Sequence, residues 1–341
     1  MDNSQKVLVT GATGLVGVHL LVDLINRGFE KIVGLYRSES ALERATNVAG
    51  YYDVKSQFKQ IEWVKFDLSN SEWNEAIFQN VELVIHTAAL VSFDPEENEI
   101  MNQVNVLATA RLLEVAAKNK VKKFGFISSV ASLGRKSGAN VYTEENKWAE
   151  SDLNSYYSVT KHDAEELVVK ANSESMPTYL INPGVILGPC DWDKSSGTIF
   201  RSAKKGLSFF TVGGNGFVDA RDVSTNLLQV MTYGDSGERY LAVGHNVKFR
   251  KLFSDIQVAF GNKPPRFRAS KLLTGIGWRI EHWRAKKGNR APVLTKHSAD
   301  ASHEVSVYDN HKILIIKGVN FRKWSDTIDN TVNYFKTDNK A

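Results

Sequence analysis

The first half of the chain alternates short apolar runs with longer stretches in which apolar residues recur every three or four positions. The short runs are rich in β-branched residues, and several are apolar at every position, as strands of a parallel sheet covered on both faces must be. They span residues 7–10, 32–36, 63–66, 83–86, 124–127 and 179–181. The longer stretches predict helices over residues 18–26, 104–119 and 158–171. This alternation predicts right-handed βαβ units and a doubly wound parallel sheet of the α/β class, with its ligand at the carboxyl ends of the strands.

After Pro183 the alternation breaks down. Residues 191–211 look irregular and then helical, 222–232 predict a helix that Asp222 could cap, and 239–243 predict another strand. From Lys248 onward the pattern is mostly helical. The sequence therefore predicts a doubly wound domain at 1–184, to which 217–245 return, and a smaller interleaved lobe. That lobe, mostly helical, comprises 185–216 and 246–341.

The composition is that of a folded soluble protein of one large domain or two smaller ones. The chain has 341 residues, of which 42% are hydrophobic and 24% charged. Cys190, the only cysteine, excludes a disulfide framework and a zinc–cysteine cluster within one chain and fits a reducing compartment. The opening residues show no basic leader followed by a long apolar core, and the longest uncharged run, 175–190, contains three prolines. We therefore expect a cytoplasmic protein without membrane insertion.

The formal net charge of +5 comes from a local excess of basic residues. Between Lys248 and Arg290 there are twelve Lys and Arg residues, opposed by Asp255 and Glu281. Such a segment could meet an anionic ligand or a membrane surface, or it could be a solvated helical face. The charge pattern alone does not assign it a function.

Three glycines directly after the first strand form the first candidate site. Gly11 allows a sharp turn, Gly14 lets backbone amides approach a pyrophosphate, and Gly17 lets the following helix pack close to the strand. The helix N-terminus adds unpaired N–H groups and partial positive charge. A turn that serves geometry alone is the alternative, but the placement after the first strand favours nucleotide binding.

The end of the second strand indicates which dinucleotide would bind. An acidic residue there would hold the ribose 2′-hydroxyl of NAD, and this chain has Arg37 instead. An arginine can pair with a 2′-phosphate, so NADP is favoured and NAD remains possible. An exposed arginine at a strand end is the alternative interpretation.

A tyrosine and a lysine one helical turn apart form the second candidate site. Tyr157 and Lys161 share a helix face, and an ammonium beside a phenol favours the phenolate, so Lys161 is expected to lower the pKa of Tyr157. Tyr156 has Thr160 in the corresponding place and lacks a lysine partner. Ser129 ends the strand at 123–127, where it could hydrogen-bond a carbonyl or hydroxyl oxygen.

The order of these elements resembles the extended short-chain dehydrogenase/reductase family. Further resemblances run along most of the chain: Phe66-Asp67-Leu68, Ile85 to Ala89, Asn105 to Thr109, Asn182-Pro183-Gly184, Phe217 to Val223 and Tyr308 to Lys312. Two positions depart from the family pattern, where Ala108 replaces the usual Gly and Asn182 replaces the usual Arg. The resemblance implies a Rossmann domain with a helical substrate lobe.

The resemblance also implies roles for individual residues. Tyr157 would be the general acid or base, Lys161 would bind the nicotinamide ribose, and Ser129 would polarise the substrate oxygen. Asn105 would hold the active-site helix or a proton-relay water. The implied cofactor-binding residues are Gly11, Thr13, Gly14, Leu15, Val16, Gly17, Arg37, Asp67, Leu68, Thr87, Ala88, Ala89, Tyr157, Lys161, Pro183 and Gly184.

Several reactions share this apparatus. Residues 89–93 and 308–312 look most like the dihydroflavonol-reductase and 3β-hydroxysteroid-dehydrogenase branch, which favours an NADP-dependent reductase of aldehydes or ketones. A nucleotide-sugar epimerase is the alternative, whereas dehydration is disfavoured because Val130, Ala131 and Ser132 supply no acid after Ser129. A dinucleotide-sensing protein without catalysis would need neither Tyr157 nor Lys161.

The partners expected from the sequence are few. We expect a small-molecule substrate, no nucleic acid and no metal. Five aromatic residues could line an apolar substrate wall or belong to the core: Phe93, Trp192, Phe209, Phe210 and Phe217. The resemblance further implies a homodimer through the helices at 104–119 and 158–171. Apolar surface for it could come from Leu107, Leu112, Val115, Leu167 and Val168, although some of these must face their own sheet.

Overall fold

A computed structural model describes residues 2–70, 72–134, 141–151, 154–194, 196–287 and 295–337. Fourteen strands lie in this part of the chain: β1 (Val7–Thr10), β2 (Ile32–Tyr36), β3 (Glu62–Lys65), β4 (Leu83–His86), β5 (Lys123–Ile127), β6 (Val141–Tyr142), β7 (Thr178–Pro183), β8 (Val185–Leu187), β9 (Phe209–Phe210), β10 (Gly214–Asp219), β11 (Arg239–Ala242), β12 (His245–Lys248), β13 (Phe267–Arg268) and β14 (Val307–Tyr308). Thirteen α-helices lie there as well: α1 (Leu15–Asn26), α2 (Glu39–Tyr51), α3 (Lys55–Lys59), α4 (Asn98–Asn102), α5 (Ala108–Lys118), α6 (Tyr156–Lys170), α7 (Gly197–Lys204), α8 (Ala220–Tyr233), α9 (Phe249–Ala259), α10 (Lys271–Lys287), α11 (Lys296–Ala301), α12 (His311–Leu314) and α13 (Trp324–Thr337).

Seven strands form one parallel sheet in the order β11-β7-β5-β4-β1-β2-β3. Strands β2 and β3 lie on one side of β1, and β4, β5, β7 and β11 lie on the other. The strand order therefore reverses at β1, and in an open α/β sheet the ligand crevice lies at such a reversal, outside the carboxyl ends of the strands. The predicted doubly wound parallel sheet is confirmed.

Helices cover both faces of this sheet and make two apolar layers. On one face, Leu20 and Leu21 of α1 are packed with Leu227 of α8. On the other face, Leu112 of α5 and Val168 of α6 lie in the second layer. The β1, β4 and β7 strands are buried along their whole length, which explains why they are apolar at nearly every position.

The later part of the chain divides its elements between the main sheet and a smaller one. Helix α8 packs against α1, and β11 pairs with β7 at the edge of the main sheet. Strands β8, β10 and β12 form a separate three-stranded sheet. The exact boundaries predicted for the two domains stay a prediction.

One predicted helix cap is wrong. Helix α8 begins at Ala220, and its cap is Asp219, whose carboxylate accepts a hydrogen bond from the Arg221 backbone N–H at 2.8 Å. Asp222 lies in the first turn and forms an ion pair with Arg322. Because two aspartates precede the apolar part of this helix, the sequence alone did not distinguish the cap from the ion-pair partner. Within the described ranges, none of the helices is both long and apolar enough to cross a bilayer.

Candidate active site

The glycine-rich turn joins β1 to α1 in a geometry that needs two of its three glycines. Gly11 has a φ of +63°, and a Cβ there would lie 2.6 Å from the backbone nitrogen of Ala88. A Cβ on Gly17 would lie 2.1 Å from the carbonyl oxygen of Gly11. Gly14 is exposed at the N-cap of α1, whose first turn carries no acidic residue. The turn thus presents bare backbone at a helix N-terminus, an arrangement suited to an anionic group such as a pyrophosphate.

Arg37 and Asp67 lie just beyond the carboxyl ends of β2 and β3. Arg37 is exposed, directly after the last residue of β2. The Asp67 carboxylate accepts hydrogen bonds from the Ser69 backbone N–H at 3.0 Å and from the Ser69 hydroxyl at 2.7 Å. Leu68 is half-buried beside it. Because the strands are parallel, these residues share the sheet edge that carries the glycine-rich turn.

The segment after β4 is tied to the end of β1. The Thr87 hydroxyl donates to the carbonyl oxygen of Thr10 at 2.8 Å, and Ala88 lies against Gly11. His86 is fully buried, with its ring nitrogens 2.6 Å from the Thr10 hydroxyl and 2.9 Å from the Thr109 hydroxyl. Burial lowers the pKa of His86 to about 3, so its ring is neutral. His86 therefore braces neighbouring elements.

Ser129 and Tyr157 meet at the carboxyl end of β5. Ser129 lies close enough to lower the pKa of the Tyr157 phenol, and its Oγ accepts the Ala131 backbone N–H at 3.1 Å as the cap of a short 3₁₀ turn, Val130–Leu133. Tyr157 is half-buried in the first turn of α6. The structure thus brings together two residues that lie far apart in the sequence and were selected there independently.

Lys161 is buried one turn along α6, with 2% of its surface exposed. Its Nζ donates to the carbonyl oxygen of Ile127 at 2.8 Å and lies 4.4 Å from the centre of the Phe126 ring. Burial lowers the pKa of Lys161 to about 8, and the nearby Glu165 carboxylate offsets part of this effect. Lys161 therefore combines a fixed position with a pKa near neutrality.

Lys161 was expected to lower the pKa of Tyr157, and the structure shows no such effect. Burial raises the pKa of the Tyr157 phenol, and the nearby Ser129 side chain lowers it in part. The physical reason is that the Lys161 ammonium is directed to the end of β5, at Ile127 and Phe126. Helical spacing predicted the shared face correctly but could not predict which acceptor the lysine would find.

The neighbouring residues Tyr156 and His162 lie apart from this cluster. Tyr156 is 39% exposed, and the His162 ring stacks on Trp148 with the ring centres 4.3 Å apart. Tyr156 also has Thr160, and not a lysine, one helical turn further on. Tyr156 is therefore a matched control for Tyr157.

Asn105 holds α6 against the loop after β4. It is buried in a π-helical turn, Gln103–Leu107, where its amide pairs with the backbone of Leu90 at 2.7 and 2.9 Å. The Asn105 amide N–H also donates to the Thr160 hydroxyl at 3.0 Å, between Tyr157 and Lys161 on the helix. These contacts favour the helix-holding role over the proton-relay role.

A buried carboxylate that the sequence patterns did not single out lies below the cluster. Glu165 is fully buried and accepts hydrogen bonds from the Ser132 hydroxyl at 2.7 Å, the Asn182 amide at 2.6 Å and the Ser128 hydroxyl. Arg239 of β11 forms an ion pair with it. The signal was present in the spacing, since Glu165 follows Lys161 by one further turn and thus lies on the same helix face.

Asn182, where the family pattern has Arg, belongs to this network. Its amide nitrogen lies 2.9 Å from the Ser132 hydroxyl and 3.2 Å from the carbonyl oxygen of Ser129. Arg239 supplies the positive charge from the adjacent strand. Pro183 and Gly184 are buried just beyond Asn182, and a Cβ on Gly184 would lie 2.5 Å from the Gly216 carbonyl oxygen.

The five aromatic residues considered for a substrate wall do not lie together as one. Trp192 is buried with its ring centre 3.8 Å from that of Phe335, and Phe217 is buried against Trp324. Phe93 and Phe209 are exposed, and Arg250 covers the half-buried Phe210 ring. Of the two interpretations that the sequence left open for these residues, Trp192 and Phe217 fit the second, because both are buried in the core of the later part of the chain.

Comparison with known proteins decides the family. The sequence model of the NAD dependent epimerase/dehydratase family matches residues 7–243. The chain belongs to this family. It is therefore an NAD(P)-dependent enzyme of the extended short-chain dehydrogenase/reductase type, as the resemblance implied.

Individual relatives of this family member cover nearly the whole chain. A putative dihydroflavonol 4-reductase of Synechocystis sp. is 24% identical over 96% of this chain and 94% of its own length. Sterol demethylase protein B of Methylococcus capsulatus is 29% identical over 80% of each chain. Among solved structures, UDP-glucuronic acid 4-epimerase from Bacillus cereus in complex with NAD has a TM-score of 0.72 at 17% identity, covering 97% of this chain and 99% of the epimerase. That structural likeness supports the fold alone.

Proposed function

We propose that the protein is an NADP-dependent oxidoreductase that reduces an aldehyde or ketone, or oxidises the matching alcohol, at a site formed by Ser129, Tyr157 and Lys161. The observation that carries the proposal is the convergence of Ser129, Tyr157 and the buried Lys161 at the carboxyl end of β5. If these three residues had only local roles at a strand end and on a helix, they would not need to converge at the ligand edge of the sheet.

The glycine-rich turn fits a dinucleotide. The close approaches at Gly11 and Gly17 leave no room for a Cβ, and the exposed Gly14 leaves the first amides of α1 accessible. We assign the pyrophosphate to Gly11–Gly17, including Thr13, Leu15 and Val16. We assign the adenine and nicotinamide contacts to the loops after β3, β4 and β7, at Asp67, Leu68, Thr87, Ala88, Ala89, Pro183 and Gly184. These loops share one edge of the sheet.

The protein groups have separate tasks in this proposal. The bound nicotinamide supplies or accepts the hydride. Tyr157 donates its phenolic proton to the substrate oxygen during reduction and takes it back during oxidation, since burial keeps the phenol protonated at neutral pH. Ser129 donates a hydrogen bond to the same oxygen, Lys161 binds the nicotinamide ribose, and Asn105 fixes α6 through Thr160.

The preference for NADP rests on Arg37. Its guanidinium is exposed at the carboxyl end of β2, on the same edge as the glycine-rich turn. A 2′-phosphate there would receive charge-assisted hydrogen bonds, which are stronger than those between neutral groups.

A nucleotide-sugar epimerase is the second candidate, because the family whose model matches residues 7–243 is described as one of NAD-dependent epimerases and dehydratases. An epimerase returns the hydride to its substrate and retains its cofactor, whereas a reductase releases the oxidised cofactor. A dinucleotide-sensing protein is disfavoured, because sensing alone needs neither the Ser129–Tyr157 contact nor a buried Lys161.

The test is cofactor turnover by the purified protein. We expect stoichiometric NADPH oxidation, followed at 340 nm, with at least one member of a panel of aldehydes and ketones, and no cofactor absorbance in the protein as purified. Retained cofactor together with conversion of a nucleotide sugar and no net NADPH oxidation would instead establish the epimerase. Cofactor binding without turnover of any carbonyl or nucleotide sugar would contradict both enzymes.

A further inference from the structure

Helix α10 presents an apolar face to solvent. Five of its large apolar side chains are between 42% and 76% exposed: Leu272, Leu273, Ile276, Ile280 and Trp283. Successive residues of an α-helix are about 100° apart, so these five side chains fall within an arc of about 100°. A surface helix normally turns such an apolar stripe toward the core. Here the stripe, which we call the α10 face, is turned outward.

Basic side chains flank the α10 face on both sides. Arg279 and Arg284 are exposed and lie about 20° beyond its two edges by helical geometry. Lys287 is exposed at its C-terminal end, with Nζ 4.1 Å from the centre of the Trp283 ring. Glu281, the helix's one acidic residue, projects about 130° away from the middle of the stripe. The local charge around the apolar residues is therefore positive.

Two further exposed rings precede the helix. Phe209 of β9 and Phe267 of β13 are 52% and 59% exposed, and their ring centres are 5.8 Å apart. The β13 strand ends three residues before α10 begins. Further exposed apolar side chains thus lie close to the helix along the chain, and a large exposed apolar surface such as the α10 face marks an interaction site.

We propose that the α10 face docks the protein onto an anionic lipid surface, with the helix lying parallel to the membrane plane. An apolar stripe with basic residues along its edges is the pattern of interfacial helices, whose lysine and arginine side chains reach the headgroups while the apolar residues enter the acyl boundary. Tryptophan beside lysine is likewise typical of the interface. The helix has 17 residues and would lie on the surface, which agrees with the finding that the described helices include no membrane span.

The charges favour a lipid surface over a second copy of this chain. A two-fold contact through the α10 face would bring Arg279 and Arg284 of both copies into one interface, where like charges oppose association. Anionic headgroups would instead neutralise both residues, each basic side chain adding to the affinity. The family match ends at residue 243, so this surface lies outside the part that defines the family, and the inference does not depend on the reaction proposed above.

Vesicle flotation with the full-length protein tests the inference. We expect the protein to float with vesicles of phosphatidylcholine containing about one third phosphatidylserine, to float far less with pure phosphatidylcholine, and to be released by 0.5 M NaCl. Ile280→Asp should weaken binding to the anionic vesicles about tenfold or more. The substitution replaces an apolar side chain that would enter the acyl boundary with a negative charge, which the anionic headgroups repel. Arg279→Gln combined with Arg284→Gln should weaken binding to anionic vesicles and leave the weak binding to neutral ones unchanged.

Ile315→Asp is the matched control, because Ile315 is 82% exposed outside the α10 face, directly after α12. This variant should float like the wild type, and far-ultraviolet circular dichroism should show that each variant is folded. Failure of the wild type to float with anionic vesicles would overturn the inference. So would equal loss of flotation in Ile315→Asp and Ile280→Asp, or a dimer in light scattering that Ile280→Asp converts to a monomer.

Discussion

Lys161 donates a hydrogen bond from its Nζ to the carbonyl oxygen of Ile127 at a distance of 2.8 Å. This contact joins the middle of α6 to the end of β5, two residues before Ser129. It fixes the ammonium at the ligand edge of the sheet and orients the helix face that carries Tyr157. The tyrosine, serine and lysine are thereby held by one strand end and one helix.

The first prediction concerns the proton donor. Tyr157→Phe removes one hydroxyl and should lower kcat by about 10²–10⁴-fold on an established carbonyl substrate, the usual contribution of a positioned acid–base group. Folding and NADPH affinity should stay close to wild type, as measured by thermal unfolding and fluorescence titration. Tyr156→Phe is the control and should keep near-full activity. If the two variants exchanged these outcomes, Tyr156 would be the donor; if both stayed active, the Ser129–Tyr157–Lys161 assignment would fail.

The second prediction concerns pH. A lysine with a pKa of about 8 is charged below that pH, so carbonyl reduction that needs the Lys161 charge should be lost as the pH rises through about 8. Glu165 raises the pKa of Lys161, so Glu165→Gln should move the alkaline limb of kcat/KM to lower pH. Glu166→Gln, at an exposed position on the same helix, should leave the profile unchanged. An identical alkaline limb in all three proteins would show that Lys161 does not control it.

The third prediction concerns the ion pair below the site. Arg239→Met leaves the Glu165 carboxylate buried without its cation and should lower the free energy of unfolding by about 3–5 kcal/mol. Urea denaturation measures the change. Lys312→Met is the comparison, because Lys312 pairs with Glu238 where both side chains are partly open to solvent, and such a pair contributes about 0–1 kcal/mol. Equal losses in the two variants would mean that Arg239 contributes no more than a surface residue.

The fourth prediction concerns cofactor choice. Arg37→Glu should weaken NADPH binding by about 10–100-fold, because it removes a charge-assisted contact and adds repulsion, and should leave NADH binding much less affected. Lys31→Glu makes the same charge change at the opposite end of β2 and should not alter the ratio of the two affinities. Isothermal titration with both cofactors gives that ratio. Equal affinity of the wild-type protein for NADH and NADPH would contradict the role of Arg37.

The fifth prediction is a homodimer, and the structure narrows the surface on which it could form. Leu112, Val115 and Val168 are buried in their own chain, so they are the members of the five that do not offer surface to a partner. Leu107 is 56% exposed and Leu167 is half-buried. Light scattering at micromolar concentration should give the dimer mass, and Leu107→Asp should reduce it. A monomeric mass for the wild-type protein would contradict this prediction.

The fold was predictable because its determinants are local. Buried parallel strands are apolar at nearly every position, and Gly11 and Gly17 are required by close backbone approach, so both features are visible in the sequence. The Tyr157–Lys161 spacing likewise reflects helix geometry. The Glu165–Arg239 pair was not predictable, because it depends on which strand lies beside β7, and neither residue's neighbours in the sequence indicate that. The acceptor of Lys161 was missed for the same reason.

The position of Arg239 also bears on the order in which the protein folds. Glu165 lies 74 residues before its cation, so the strands from β1 to β7 leave the ribosome well ahead of β11. Until β11 arrives, the Glu165 carboxylate lacks its cation, and a buried charge without a partner is unfavourable. The ion pair with Arg239 therefore adds an electrostatic contribution to the backbone pairing between β11 and β7. The last strand of the main sheet is thus expected to be held at its edge by charge as well as by the hydrogen bonds of the sheet.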